Sequence, residues 1–328
     1  GDVAAVIRIG ADRWIDQQLS ADTAIDVSAR LALAGCPLWT DPVDIAEGSI
    51  SGMETFNMQY KDASGAMVSG KISLSGLGFQ GLVTRDSSAN VAGFGRVLAA
   101  NSQLVACKYA RVEFSEKQLL EVLTDFWHNH FSFSGISLPA RGSLIAFDRS
   151  VIRPNALAHF RDLLGAVAHS PTMLQYLDNA VSQADSSHRT LSEMVAARAP
   201  NSYFPSGRRS GLNENYAREL LELHTLGVDG GYSQEDVIEV ARALTGWTHS
   251  RSSKNPASSA PSSSTYSVPT EFVFDSAGHD AESKTVLGHA LPAGRGMEDG
   301  EDVLDILARH PSTARFIAHK LAVRFVSD

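Results

Sequence analysis

Two short segments concentrate the side chains that can do chemistry. Phe126-Trp127-His128-Asn129-His130-Phe131 carries two imidazoles one residue apart. The stretch from Asn213 to Gly227 carries Arg218, Glu219, Glu222 and His224. Histidines with this spacing point to the same side of an extended segment but to nearly opposite sides of a helix. If the backbone unwinds at His128, the two rings converge, in a pattern that suits zinc, iron or copper. With Glu219 and His224 they would make up to four protein ligands for one divalent transition metal, zinc or iron. A third candidate is His279-Asp280 with Lys284 nearby, where a carboxylate can orient a histidine for acid–base work. Asp also favours turns, so a plain turn is the competing reading there.

Stepping around a helix from Asn213 at about 100° per residue puts Tyr216, Leu220, Leu223 and Leu226 on one apolar face. Glu219 falls between Leu226 and Leu223, and His224 between Leu220 and Leu221. Arg218 and Glu222 lie opposite, four apart, as a surface ion pair. An inward carboxylate needs a cation, a metal or several donors. Arg242 is the nearest helical candidate as a partner for Glu219, and His128 and His130 are the long-range ones. On this reading Glu219→Gln would cost on the order of 1–4 kcal/mol. A metal-free network of Asn213, Asn215, Arg242 and Lys284 with these groups is the architectural alternative. In the catalytic alternative Arg218, Glu222, His279 and Asp280 are the candidates.

The elements that must hold these residues are mostly helices. Asp12–Leu19 places Trp14, Ile15 and Leu19 on one helical face, and Ala24–Ala34 continues as helix. Ser115 opens a helix with Gln118 as a capping box, followed by Leu119, Leu120, Val122, Leu123 and Phe126 at a 3.6 period. Pro154 opens one through Leu164, and Pro171 another. Asn213 caps a fourth. Ser233, with Asp236 three residues on, caps a fifth that runs to about Trp247. Glu301–Arg309 and Pro311–Val326 close the chain. Residues 50–88 read as a β-hairpin insertion, because Met53–Arg85 alternates apolar residues around an Asp62–Gly65 turn. Thr270–Phe274 and Lys284–Leu287 read as short strands near His279. Residues 250–269 are Ser-rich and read as a flexible loop. The expectation is a mainly α, irregular multi-helix domain over 1–328, with the hairpin insertion and a second short hairpin in the C-terminal third.

The net charge is -9, and no stretch gathers Lys and Arg on one face. That argues against nucleic acid and against anionic lipid as partners. No run is long and apolar enough to be a transmembrane segment, and residue 1 is followed by neither a basic nor an apolar leader. The two cysteines, Cys36 and Cys107, have no zinc or redox spacing and read as small buried hydrophobes. The turn Leu226-Gly227-Val228-Asp229-Gly230-Gly231 lacks the alternating oxygens of a calcium loop. A nucleophile elbow, a phosphate loop and a dinucleotide fingerprint are all missing.

Several of these segments, in this order, resemble a known family. They are Asp125 to Phe131, Ile152-Arg153-Pro154, Tyr176-Leu177-Asp178-Asn179, Asn213 to Gly227, Gly231 to Val237, Ala243-Leu244-Thr245-Gly246-Trp247, His279-Asp280 with Lys284, and Ala314-Arg315-Phe316-Ile317 with Lys320-Leu321. Together they resemble the hallmarks of the bacterial family called domain of unknown function 1800, from about Phe114 onward. The 53–85 hairpin and the Ser-rich loop are less typical of it, and such proteins usually continue well past Asp328. The resemblance implies no activity. It implies export, to the periplasm or the cell exterior, and a companion protein similar to sulfatases. Two readings follow. One is an exported surface or envelope protein that binds a glycan or a cell-surface protein, its polar cluster a structural lock. The other is a metal-dependent hydrolase with a His/Glu site.

Overall fold

The computed structural model describes residues 2–19, 55–61, 67–73, 108–133, 147–198, 211–251 and 269–327. The described chain is mainly helical with three small antiparallel two-stranded sheets. Its contacts divide it into two compact units. The first takes its described residues from 2–19, 55–61, 67–73, 108–128, 133 and 147–157, the second from 129–132, 158–198, 211–251 and 269–327. No helix among the described residues is long and apolar enough to cross a membrane. The expected helix at Ala24–Ala34, both cysteines, the tip of the first hairpin and most of the Ser-rich loop lie outside the described residues.

In the first unit, α1 (Asp2–Ile9) and α2 (Ala11–Leu19) are followed by the hairpin β1 (Thr55–Lys61) and β2 (Met67–Ser73), with Thr55 opposite Ser73 and Lys61 opposite Met67. The strands expected there therefore pair antiparallel. The apolar face expected on α2 is not what anchors it. Ile15 and Leu19 are 47% and 55% exposed, whereas Gln18 is buried. Its amide donates to Glu116 O at 2.9 Å and accepts from Leu119 N at 3.1 Å. It thus satisfies an orphan N–H at the start of α3 (Gln118–His130).

α3 starts three residues later than the capping-box reading. Ser115 instead ends the helical stretch 108–114 through its N–H to Arg111 O, and its Oγ accepts from Lys117 N. Gln118 reaches back to the Ser115 and Val112 carbonyls. After residue 133 the unit resumes with a π-helical turn, Phe147–Ile152, and α4 (Arg153–Asn155), with Pro154 in its first turn. The continuous helix expected from Pro154 to Leu164 is broken: His159 is extended (ψ 144°), and its carbonyl starts α5 (Phe160–Ala168) afresh. Phe126, Trp127, Phe133, Phe147 and Ile152 form this unit's core.

In the second unit, α5 leads to α6 (Pro171–Tyr176), which ends at Asp178 in the left-handed region. Then come α7 (Leu191–Arg198), α8 (Asn215–Glu219), a π-helical turn Leu220–Thr225, and α9 (Gln234–Ala243). α9 carries the full expected capping box: Ser233 Oγ accepts from Asp236 N, and Asp236 Oδ2 accepts from Ser233 N at 2.8 Å. The helix stops at Leu244, short of Trp247. Gly246 takes φ 76°, and a Cβ there would press on Asp275 O, so the chain turns into β3 (Trp247–Arg251). This strand hides in the sequence because helical spacing continues up to it. β3 pairs with β4 (Pro269–Phe274), and β5 (Lys284–Val286) pairs with β6 (His289–Leu291). The two strands expected near His279 therefore belong to separate hairpins. α10 (Glu298–Arg309) and α11 (Pro311–Phe325) close the described chain. Leu163, Leu164, Met173, Leu174, Val237, Val240, Leu244, Val303, Leu304 and Trp247 make the core.

Removing the α9 cap tests this local assignment. Ser233→Ala should lower stability by about 0.5–2 kcal/mol in chemical denaturation, with the denaturant slope unchanged. An unchanged midpoint would show that the capping box does not hold the helix start.

Candidate functional site

His128 lies in the first unit, on the last turns of α3. α3 stays helical through His130, so His128 and His130 project from nearly opposite sides of it. The unwinding that their convergence required does not occur. His128 Nε2 donates to Asp148 Oδ1 at 2.8 Å, with the Phe147 ring edge-on at 5.8 Å. Arg153 Nε bonds Asp148 Oδ2 at 3.3 Å, and its two terminal nitrogens grip Glu121 at 2.7 and 2.9 Å. Arg111 flanks Glu121 at 3.6 Å. Burial alone would raise the Asp148 carboxyl. The His128 hydrogen bond and the nearby cations outweigh it and hold the group below the ordinary carboxylate range.

His130 belongs to the second unit, and both of its ring nitrogens are engaged. Nε2 lies 3.0 Å from His224 O, and Lys320 Nζ lies 3.0 Å from Nδ1. A carbonyl only accepts, so the proton sits on Nε2 and the Nδ1 lone pair accepts from Lys320. Phe131, Phe160 and Phe316 surround the ring. Burial, then the Lys320 charge, lowers its pKa to about 3. His224 is 1% exposed and hydrogen-bonds the Phe131 backbone; burial lowers it to about 4. Both are neutral core imidazoles.

The helix phase expected from Asn213 holds only as far as Glu219. Asn213 Oδ1 accepts from Asn215 N at 2.9 Å, so it turns the chain into α8 from two residues before the helix. The side-chain amides of Asn213 and Asn215 donate to Asp178 O and Leu177 O. From Leu220 the helix widens: Leu226 N bonds Leu221 O, and Thr225 Oγ1 bonds Leu220 O. A five-residue hydrogen-bond ring turns less per residue than an α-helix. Leu223 is accordingly 36% exposed, while Leu220, Leu221, His224 and Thr225 are buried. Glu219 ends half-buried, its carboxyl raised by desolvation and then by Glu222. Arg218 pairs with Glu214 at 3.1 Å and bonds Gln234, not Glu222; Glu222 accepts from Tyr232 Oη. A carboxylate four residues N-terminal to its cation is the better helical arrangement.

Arg242 is taken by another partner. Its Nε and Nη2 grip Asp280 at 2.7 and 3.2 Å, and Nη1 bonds Glu239 at 2.6 Å. Lys284 Nζ donates to Asp299 Oδ2 at 2.8 Å and to the Asp280 and Glu282 carbonyls. His279 Nδ1 donates to Thr245 O at 2.8 Å, and its Nε2 lies 3.6 Å from Asp299 Oδ2. Burial opposes ionisation of Asp299, but His279 and Lys284 hold it below the usual range. His279, Asp280, Lys284 and Asp299 are all at most 2% exposed. Behind them Gly300 has no room for a Cβ against the Trp247 indole.

The structure therefore joins Arg242, Asp280 and Lys284, with His279 alongside. The four expected metal ligands stand apart in what they bind: His128 on Asp148, His130 on Lys320, His224 on the Phe131 backbone, and Glu219 beside Glu222. Among the described residues no group of three His, Cys, Asp or Glu side chains is placed to hold a metal ion. Sequence reasoning missed Asp148, Glu121 and Asp299, whose partners His128, Arg153 and Lys284 lie 20, 32 and 15 residues away. Arg153, Thr245 and Lys320 stood in the quoted motifs without a role.

Two measurements follow. The unfolded state protonates its histidines near pH 6.5, while native His130 and His224 stay neutral down to about 3 and 4. Their folded values are depressed, so stability is full above about pH 6.5 and declines as pH falls toward 4. The slope is at most about 1.4 kcal/mol per pH unit for each group. Urea midpoints between pH 8 and 4 should show this, and a flat profile would contradict the neutral assignment. Glu219→Gln, expected from the sequence to destabilise, should leave the melting temperature unchanged or higher because it removes the repulsion with Glu222; a fall of several degrees would restore the buried-ion reading.

No curated protein and no solved structure gives a match to this chain. A family model does match it, over residues 1–328, so the first hairpin and the Ser-rich segment fall within the match as well as the motifs from Phe114 onward. The family is described as protein of unknown function (DUF1800), and this chain belongs to it.

Proposed function

We propose that this chain is an exported binding or assembly protein of the bacterial surface or envelope, in which the Arg242–Asp280–Lys284–Asp299 cluster is a structural lock. The observation that carries the reading is that the strongest polar cluster spends its donors on the protein itself. Arg242 makes a two-pronged bond to Asp280 and a third to Glu239, and Lys284 uses three donors on three acceptors. Groups arranged this way fix elements against each other and leave little to offer a substrate. Export, and a glycan or a cell-surface protein as partner, rest on the resemblance of the motifs. A sulfatase-like companion protein is a further partner on the same ground.

The competing reading is a zinc or iron hydrolase built from His128, His130, Glu219 and His224. It is disfavoured because His130 has both ring nitrogens committed and Glu219 lies against another carboxylate. Elemental analysis of the purified chain separates the two. The lock reading expects substoichiometric transition metal, a melting temperature indifferent to chelator, and a loss of about 3–5 kcal/mol in Asp280→Asn, which strands Arg242. It also expects retention on purified cell-wall glycan or on intact cells. Stoichiometric zinc or iron whose removal lowers the melting temperature would overturn it.

A further inference from the structure

We propose that the Asp148–His128 pair of the first unit is a general-base site able to hydrolyse small acyl esters, an activity separate from the lock. Asp148 is ionised and can only accept, so the proton between them belongs to His128 Nε2 and the lone pair lies on Nδ1. Nδ1 has no hydrogen-bond partner among the described residues, and the side chain keeps 16% of its surface exposed. His130, His169, His224 and His279 lack this combination. Both His130 nitrogens are engaged, His169 holds Gly165 O and Glu301, and His224 and His279 are at most 1% exposed.

The pair is also held from behind. Asp148 is fixed by Arg153, Arg153 by its two-pronged bond to Glu121, and Glu121 by Arg111. This alternation of charge keeps the carboxylate from rotating away, and Phe147 walls one side of the imidazole. Phe147 and Asp148 open a π-helical turn, a distortion that often accompanies functional sites. A carboxylate that sets the tautomer of an imidazole and steadies its protonated form is a positioning residue for a base.

The chemistry that needs only a base and water is ester hydrolysis. His128 Nδ1 takes a proton from water as the water oxygen bonds to the acyl carbon and the carbonyl electrons move onto oxygen. The carbonyl re-forms, the bond to the alcohol oxygen breaks, and the imidazolium returns its proton to that oxygen. One ester and one water give one acid and one alcohol. Asp148 stays ionised throughout.

4-Nitrophenyl acetate is the probe for the full chain. The wild type should turn it over, His128→Gln should abolish the enzyme-dependent rate, and His289→Gln, at an exposed position of β6, should retain it. Asp148→Asn should lower kcat on the order of a hundredfold with KM little changed, as loss of an oriented base predicts. If Asp148→Asn fails to fold, the native chain still decides. Diethyl pyrocarbonate should label His128 ahead of the buried histidines, by peptide mass mapping, and activity should fall in step with that label. A His128→Gln protein as active as wild type, no turnover by the wild type, or full activity after His128 is labelled would each overturn the proposal. None of these results bears on the metal content or glycan retention that test the lock.

Discussion

The Asp280 carboxylate is 1% exposed, and the second unit is arranged around what that demands. A buried carboxylate costs several kcal/mol unless its oxygens are answered by donors of fixed geometry. The Arg242 fork answers both, reinforced by the backbone N–H of Glu282. The backbone of the same residue is held too, its N–H by Thr245 Oγ1 and its carbonyl by Lys284. Neighbouring bonds extend the crossing: His279 O accepts from Leu191 N, and Ala281 bonds Arg189 and Gly294. The end of α9, the start of α7, the loop before β5 and the turn before α10 thus meet on three consecutive residues. Hydrophobic contacts could accept several arrangements of these elements, whereas a satisfied ionic network accepts few.

Both units also contain a π-helical turn, and in each the widened ring changes which side chains face inward. Leu220–Thr225 buries His224 and Thr225 while turning Leu223 outward. Thr225 Oγ1 also donates to Leu220 O, adding a side-chain bond to the wide turn from inside. Phe147–Ile152 buries Phe147 and Asp148 at consecutive positions, which supplies both the apolar wall and the acceptor for His128.

The histidines show how one residue type takes different states from its neighbours. His128 sees a carboxylate, and its other nitrogen meets no hydrogen-bond partner among the described residues. His130 sees a carbonyl on one side and an ammonium on the other, and is held neutral. His169 stacks on Trp247 at 4.7 Å and bonds Glu301. Burial, partner charge and hydrogen-bond direction decide each case, and the spacing of the histidines along the chain does not.

The sequence by itself determined whatever depends on local physics. The Ser233–Asp236 capping box, the proline starts of α6 and α11, the 55–73 hairpin and the last two helices follow from residue types a few positions apart. Their interactions close within one or two turns. The motif order from Asp125 to Lys320 was enough to point to the family. The functional clusters were only partly legible. Arg242, Asp280 and Lys284 could be named as polar residues in need of partners, but their pairing spans 38 residues between Arg242 and Asp280. Asp299 and Asp148 are ordinary acidic residues in sequence, and packing makes them acceptors for Lys284 and His128. Likewise the expected inward turn of Glu219 failed because helical phase past Leu220 is set by a hydrogen-bond shift. Side-chain spacing fixes phase only while the helix stays regular, and tertiary packing decided where it did not.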